Sequence, residues 1–231
     1  MSSDWQPRTP AELRIALFDL DGAECEALDD ASLLSPEELS RARRFRGEEL
    51  SRRFRRAHAA LRLLLARETG CAPGAVAILS AAGRKPRLRD SGVCFNLSHS
   101  QNLAAIAIAR GREVGIDVEV RGRALDDVCA LAARACHPHE AEALESLPER
   151  GREEAFLRLW TVREALLKAI GTGLAAPPEM IDASPVLAGV QSLAWKGWSV
   201  MMVPSPAACF AAVAAEGTGW GYRLVSPLFE R

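Results

Sequence analysis

Leu103-Ala104-Ala105-Ile106-Ala107-Ile108-Ala109 is echoed far downstream by Cys209-Phe210-Ala211-Ala212-Val213-Ala214-Ala215. Both are apolar runs of strand length, too short for helices of ordinary size. Each closes a segment built on one plan, helices followed by a hairpin. In the first half, residues 13–20 read as an opening strand, and Ser35-Pro36-Glu37-Glu38 carries the capping-box pattern with proline at the first helical position. A helix to about Phe45 follows from it. Phe54, Ala57, Leu61, Leu64 and Leu65 fall at helical spacing within residues 48–68, with arginines on the other face. Strands are expected near 76–79, 93–97, 103–109 and 114–120, the last two joined through Arg110-Gly111. In the second half, helices are expected from Leu125 onward, over 139–147 and over 153–170, the last ended by Gly171. Strands near 195–203, 209–215 and 219–225 complete it. The class is α+β, and a cut near residue 112 divides the chain into an N-terminal subdomain, 1–112, and a C-terminal subdomain, 113–231. The cut puts the chemistry-bearing segments at the junction, where clefts form.

Composition excludes several classes. With 231 residues and 48% hydrophobic content the chain can bury a substantial core. The longest apolar run near the start, Ile15-Ala16-Leu17-Phe18, is too short for a membrane span or a signal-peptide core, so no membrane partner and a cytoplasmic location are expected. Six cysteines without a Cys-x-x-Cys pair read as buried apolar groups in a reducing compartment. Net charge is −1, yet Arg41 to Arg67 holds ten arginines, an anion-attracting face. Aromatic interleaving and a global basic excess are missing, which argues against nucleic acid. Only three of the 29 basic residues are lysines, namely Lys85, Lys168 and Lys196. A lysine retained against such an arginine bias points to a site that needs a compact ammonium.

Three segments carry chemistry. In Gly115-Ile116-Asp117-Val118-Glu119 strand alternation puts Asp117 and Glu119 on one face, either as a solvent-facing acidic edge or as ligands for Mg²⁺, which binds through carboxylates and phosphate oxygens. Trp160, Glu164 and Lys168 recur at intervals of four on one helix face, so Glu164 can complete the carboxylate set and Lys168 can reach a phosphate. Trp160 fits the core. Ser98-His99-Ser100 stands between two strands as a phosphate-binding turn; Ser98 and His99, being adjacent, point to opposite faces and make no catalytic dyad. Two other signals compete. Asp19 and Asp21 in Phe18-Asp19-Leu20-Asp21-Gly22 resemble the opening of haloacid-dehalogenase-type phosphatases, although Ala23 replaces the usual threonine. Cys129, Cys136, His137 and His139 match no standard zinc spacing, and helix capping and packing account for them better.

Taken in order, Phe95-Asn96-Leu97-Ser98-His99-Ser100, Gly115-Ile116-Asp117-Val118-Glu119 and Trp160-Thr161-Val162-Arg163-Glu164-Ala165-Leu166-Leu167-Lys168 resemble the Sfp-type 4′-phosphopantetheinyl transferases. The match runs from about residue 35 to 174. It implies two similar subdomains related by a pseudo-twofold, each a small antiparallel sheet packed with helices, with coenzyme A as co-substrate between them. Asp117, Glu119 and Glu164 would hold Mg²⁺, with Mn²⁺ able to replace it, and Asp117, Glu164 and Lys168 would be the catalytic set. Arg41, Arg53, Lys85, Ser98, His99 and Lys168 would contact coenzyme A. The implied reaction moves the phosphopantetheine arm to a serine of an apo acyl carrier or peptidyl carrier protein, leaving 3′,5′-ADP; Glu164 or a metal-bound water would take the serine proton. Glu38 departs from a lysine found in some members, Arg163 stands in a slot that is usually lysine, and Glu140 corresponds loosely to a glutamate near the metal. A module that binds coenzyme A or carrier protein without transfer is the non-enzymatic alternative. A monomer is expected.

Overall fold

The computed structural model describes residues 12–81, 83–89, 91–122, 125–173 and 176–228. The outermost ends of both expected subdomains, and Leu174 at the end of the family-like stretch, lie outside them. The chain forms two four-stranded sheets. The first has the order β10-β1-β5-β4, from β1 (Glu12–Asp19), β4 (Val93–Ser100), β5 (Leu103–Arg110) and β10 (Gly221–Leu224). The second has the order β6-β9-β8-β7, from β6 (Val114–Val120), β7 (Ser192–Trp195), β8 (Trp198–Met202) and β9 (Cys209–Glu216). A two-stranded ribbon pairs β2 (Ile78–Leu79) with β3 (Arg87–Leu88).

The duplication is structural. In one half β1-β5-β4 are antiparallel neighbours in that order, and in the other β6-β9-β8 repeat the arrangement, each with a 22-residue helix inserted after its first strand. The halves are not closed units, because β10 from the end of the chain pairs parallel with β1.

The layering explains the alanine-rich echo. Leu13, Ile15, Ala105, Ala107 and Ala109 of the first sheet pack on Val114, Ile116, Val118, Ala211, Val213 and Ala215 of the second. On the outer face of the first sheet, Ala60, Leu61, Leu64 and Leu65 of α2 (Glu48–Thr69) cover Phe95, Ile106 and Ile108. On the outer face of the second, Val162, Ala165, Leu166 and Ala169 of α5 (Glu149–Ile170) cover Val200, Ala212 and Ala214. The central strands are thus covered by a sheet on one side and a helix on the other, which calls for continuous apolar sequence and not alternation. Among the described residues no helix is long and apolar enough to cross a membrane, and all six cysteines are unpaired.

Helix boundaries follow their local signals. Helix α1 (Pro36–Ala42) carries the expected capping box: Glu38 N–H donates to Ser35 Oγ and Ser35 N–H donates to Glu38. Regular geometry in α5 is interrupted at Arg150 and Gly151, so the uninterrupted part begins close to the expected 153, and Gly171 ends it in the left-handed region at φ 85°. Helices α3 (Val128–Ala135) and α4 (Pro138–Glu145) lie between β6 and α5. The expected strand over 195–203 is instead two strands, because Lys196 and Gly197 adopt φ 44° and 85° and form a tight hairpin turn. The strand expected over 76–79 is only Ile78–Leu79.

The phosphatase reading of Asp19 and Asp21 does not survive. β1 lies in a largely antiparallel sheet, and not in the parallel arrangement whose carboxyl ends form ligand crevices. Asp19 Oδ1 accepts from Asp21 N–H at 2.9 Å and from Asn102 Nδ2 at 2.8 Å, while Asp21 is paired with Arg52 and Arg53.

Candidate active site

Strands β4 and β6 come from different sheets, and side chains bridge them. Alternation along β4 points Asn96, Ser98 and Ser100 to one side, toward β6. Asn96 Oδ1 accepts from Ile116 N–H at 2.9 Å, Ser98 Oγ donates to Asp117 Oδ1 at 2.7 Å, and Ser100 Oγ donates to Glu119 Oε2 at 2.8 Å. The intervening residues Phe95 and Leu97 turn to the core under α2. The site is therefore a polar seam through an otherwise apolar contact. Its spacing comes from two strands aligned residue for residue.

Helix α5 closes the seam. Lys168 Nζ donates to Asp117 Oδ1 at 2.5 Å and to Ser98 Oγ at 2.9 Å. Asp117 is 3% exposed. Burial pushes its pKa up to about 6 despite the opposing pull of Lys168, and Glu119 adds to the rise. Burial also raises Glu164, with Lys168 opposing and Glu119 reinforcing. Asp117 Oδ2 and Glu164 Oε1 are both buried and without a hydrogen-bond donor. Such orphaned acceptors are costly unless a cation is held against them. An all-oxygen, all-carboxylate donor set suits a hard ion such as Mg²⁺. Asp117, Glu119 and Glu164 therefore fit the expected metal chemically, although among the described residues a different trio, His137, His139 and Asp182, brings its ligand atoms within 4.8 Å of one another.

Other expected residues lie elsewhere around this centre. His99, on the opposite side of β4 from Ser98, is exposed at its edge, and its imidazole is biased toward the neutral form by desolvation, then by His58, Lys168 and Arg41. Arg41 stacks over the Phe54 ring at 5.1 Å. Arg53 Nε lies 3.1 Å from Asp21 Oδ2, and its Nη2 pairs with Glu49 at 2.6 Å, so its charge is already paired with two carboxylates.

Lys85 is not brought to the carboxylates. Its ammonium donates to Glu113 Oε2 at 2.8 Å, Val114 O at 2.6 Å and Ala169 O at 3.2 Å, which uses all three hydrogens. It ties the β2–β3 segment to β6 and α5. It also lines, with Arg84, Arg87, Ile170 and Gly171, a cavity of about 620 Å³ beside the end of α5. Glu140 is fully buried and bonded on both oxygens, to His137 N–H, Ala183 N–H and Arg163 Nη1. A place for Glu140 at the metal is not supported. Arg163 is its buried partner, so a guanidinium in this slot serves structure. Glu38 is likewise structural: although burial opposes it, bonds from His58, Ser35 N–H and Arg62 hold its carboxyl down at about 2. Ser98, His99 and Ser100 are strand residues of β4 paired with Ala105, Ala104 and Leu103, and not the expected phosphate-binding turn; sequence reasoning assigned no role to Asn96 or Gly115, although alternation through Asn96-Leu97-Ser98-His99-Ser100 marks the former.

Comparison with known proteins identifies the family. A family model described as the 4′-phosphopantetheinyl transferase superfamily matches residues 113–201, the stretch that holds β6 and α5. The chain is 38% identical to the 4′-phosphopantetheinyl transferase HetI of Nostoc sp. over 226 residues, covering 94% of this chain and 95% of that protein. It is 34% identical over 88 residues to the 4′-phosphopantetheinyl transferase gsp of Aneurinibacillus migulanus, covering 38% of this chain and 35% of that one. It is 32% identical over 119 residues to the L-aminoadipate-semialdehyde dehydrogenase-phosphopantetheinyl transferase of Eremothecium gossypii, covering 49% and 43%. This chain belongs to the 4′-phosphopantetheinyl transferase family.

Proposed function

We propose that this transferase moves the 4′-phosphopantetheine arm of coenzyme A to a serine of an apo acyl or peptidyl carrier protein, with Mg²⁺ held by Asp117, Glu119 and Glu164. The observation that carries the reading is Lys168 bonded between Ser98 and Asp117 beside two buried carboxylate oxygens that lack donors. When bound, the cation supplies charge neutralisation to the pyrophosphate. The carrier serine oxygen forms a bond to the phosphorus that bears pantetheine, and the bond from that phosphorus to the oxygen shared with 3′,5′-ADP breaks. Glu164 takes the serine proton. Lys168 donates a hydrogen bond to the departing phosphate oxygen. Ser98 and His99 flank the phosphates, and Arg41 and Arg53 supply positive charge further along coenzyme A. Arg84 and Arg87 line the cavity beside the end of α5 and add positive charge there, while Lys85 holds the β2–β3 segment in place.

The same proposal divides the work between 1–112, which carries most coenzyme A contacts, and 113–231, which carries the metal and α5. It sets a monomeric enzyme in the cytoplasm, in keeping with six unpaired cysteines. Arginines of α1 and α2 steer acidic carriers.

Intact-protein mass spectrometry of an apo acyl carrier protein, with coenzyme A and Mg²⁺, is expected to show a gain of one phosphopantetheine that EDTA abolishes. No gain on acyl and peptidyl carriers, together with retained coenzyme A binding, would establish the non-transferring module instead. Lys168→Arg tests the central contact. The ammonium occupies a position 2.9 Å from Ser98 Oγ that a planar, longer guanidinium cannot reproduce. The expected loss in kcat/KM is roughly hundredfold, about 3 kcal/mol of transition-state stabilisation. Turnover within twofold of the parent would remove Lys168 from the reaction.

A further inference from the structure

His137 and His139, set aside as a zinc site because their cysteine neighbours have the wrong spacing, meet a third residue from a distant part of the chain. We propose that His137, His139 and Asp182 form a second metal site, for a late first-row divalent ion of the Zn²⁺ class, that fastens the segment around Asp182 to the N-terminus of α4. The proposal does not depend on the transfer reaction.

The ligand atoms of the three residues all lie within 4.8 Å of one another. His139 Nδ1 is 3.1 Å from Asp182 Oδ2, and the two imidazole rings stand edge to face with centroids 4.7 Å apart. Ligands at about 2.0–2.1 Å from a tetrahedral Zn²⁺ are separated from each other by roughly 3.3 Å. The His139–Asp182 pair is therefore already spaced like one edge of that polyhedron. His139 and Asp182 have side chains 69% and 37% exposed, which leaves the remaining coordination open to water.

Convergence of three side chains on a surface carries weight when the backbone beneath them is fixed, and here one buried pair fixes both sides. Glu140 Oε2 accepts from His137 N–H at 2.7 Å, and Glu140 Oε1 accepts from Ala183 N–H at 2.6 Å. Arg163 Nη1 donates to Glu140 Oε2 at 2.8 Å and to Ile181 O at 2.5 Å. Asp182 is thus anchored through Ala183 to Glu140 and through Ile181 to Arg163, and His137 is anchored through its own amide to the same fully buried Glu140 carboxylate. Outer-sphere bonding of this kind orients ligands and limits the ordering cost of metal capture.

Two terms oppose the ion, and both are small. His137 Nδ1 accepts a capping bond from His139 N–H at 3.2 Å, a long contact that coordination through this nitrogen replaces. The positive end of α4 disfavours a cation, and the Asp182 carboxylate supplies opposing charge. Two imidazoles with one carboxylate favour Zn²⁺ and its neighbours over Mg²⁺, whereas the carboxylate set at Asp117 has the reverse preference. The molecule thereby sorts two metals to two places. Arg163, in the anchoring pair, precedes Glu164 in α5, so an ion at this site stabilises the helix that carries the catalytic glutamate.

The test uses the full chain with Mg²⁺ saturating, so that the carboxylate site is filled. Co²⁺ titration is expected to give visible d–d absorption at one equivalent without sulfur-to-cobalt charge transfer, and Zn²⁺ is expected to raise Tm by several degrees. His139→Gln and Asp182→Asn, both at exposed side chains, are expected to keep transfer within twofold and to lose the visible bands and the Zn²⁺ shift. Absence of the bands in the parent chain overturns the proposal. So does a Zn²⁺ shift that persists in both variants, or a charge-transfer band that assigns the ion to a cysteine.

Discussion

Gly115→Ala is expected to cost the protein roughly 2–12 °C in Tm and nearly all of its transfer activity, although residue 115 carries no side chain that could reach a substrate. A methyl group on Gly115 would stand 2.2 Å from Ala165 O and 2.3 Å from Ala169 N, both backbone atoms of α5. No rotamer change relieves a clash with backbone, so α5 must move away from β6 or β6 must bend. Overpacking of this kind costs about 1–3 kcal/mol, and each kcal/mol lowers Tm by about 2–4 °C in a chain of this size. The activity loss is argued separately. Gly115 and Asp117 lie on one face of β6, and Lys168 precedes the crowded Ala169, so any retreat of α5 lengthens the 2.5 Å Lys168–Asp117 contact. Thermal melting and carrier loading measured on one preparation check both parts. A variant that melts like the parent and loads at the parental rate would show that α5 is not held this closely.

This glycine illustrates how far the sequence was legible. The carboxylate pair in Gly115-Ile116-Asp117-Val118-Glu119 follows from strand alternation, and the placing of Glu164 and Lys168 on one helix face follows from helical spacing, so both were readable from residue order alone. The reason for the glycine was not, because it depends on which helix lies across the strand. The layering was legible in part. Leu103–Ala109 and its echo mark buried strands, but the packing of their second face against another sheet needs Val114 and Ala211 in place. The hairpin between β7 and β8 was hidden because its turn uses Lys196, a residue type seldom found at positive φ, in place of asparagine or aspartate.

Lysine scarcity separated function from structure less well. Lys168 holds the site's central contact, yet Lys85 is retained for a different reason. Three acceptors, Glu113, Val114 O and Ala169 O, converge on its ammonium in a space only 8% exposed. A compact cation with three tetrahedrally disposed donors suits that socket, and a planar guanidinium does not. The rarity of lysine therefore marks sites that demand ammonium geometry, whatever the use. Arg163 completes the contrast: its fork reaches Glu140 Oε2, Ile181 O and Pro178 O, a spread that no lysine covers. His137 and His139 could not be joined to Asp182 by any local rule, since their meeting depends on the buried Glu140–Arg163 pair.

Asp117→Asn is expected to abolish transfer, by at least about a thousandfold, while leaving the metal-free protein as stable as the parent or more so. The two effects have one origin. Asp117 is buried with one oxygen unsatisfied, and its pKa is raised to about 6. For an acid whose folded-state pKa lies above its unfolded value of 3.8, the unfolded chain ionises first as pH rises. The native state then loses stability between about pH 4 and 6, and the loss is complete above that window. The neutral amide lacks this penalty, although it places an NH₂ or a carbonyl oxygen against Lys168, which offsets part of the gain. In EDTA the Tm of the parent is therefore expected to fall from pH 4.5 to 7 relative to that of Asp117→Asn. Added Mg²⁺ reverses the order, stabilising the parent at pH 7.5 and leaving the variant unchanged, because binding energy accrues only where the carboxylate remains. A variant that loads carrier protein at a rate near the parent's, or that gains stability from Mg²⁺ as the parent does, would place the metal elsewhere. The buried charge that costs stability in the absence of the ion is the charge that recruits the cation.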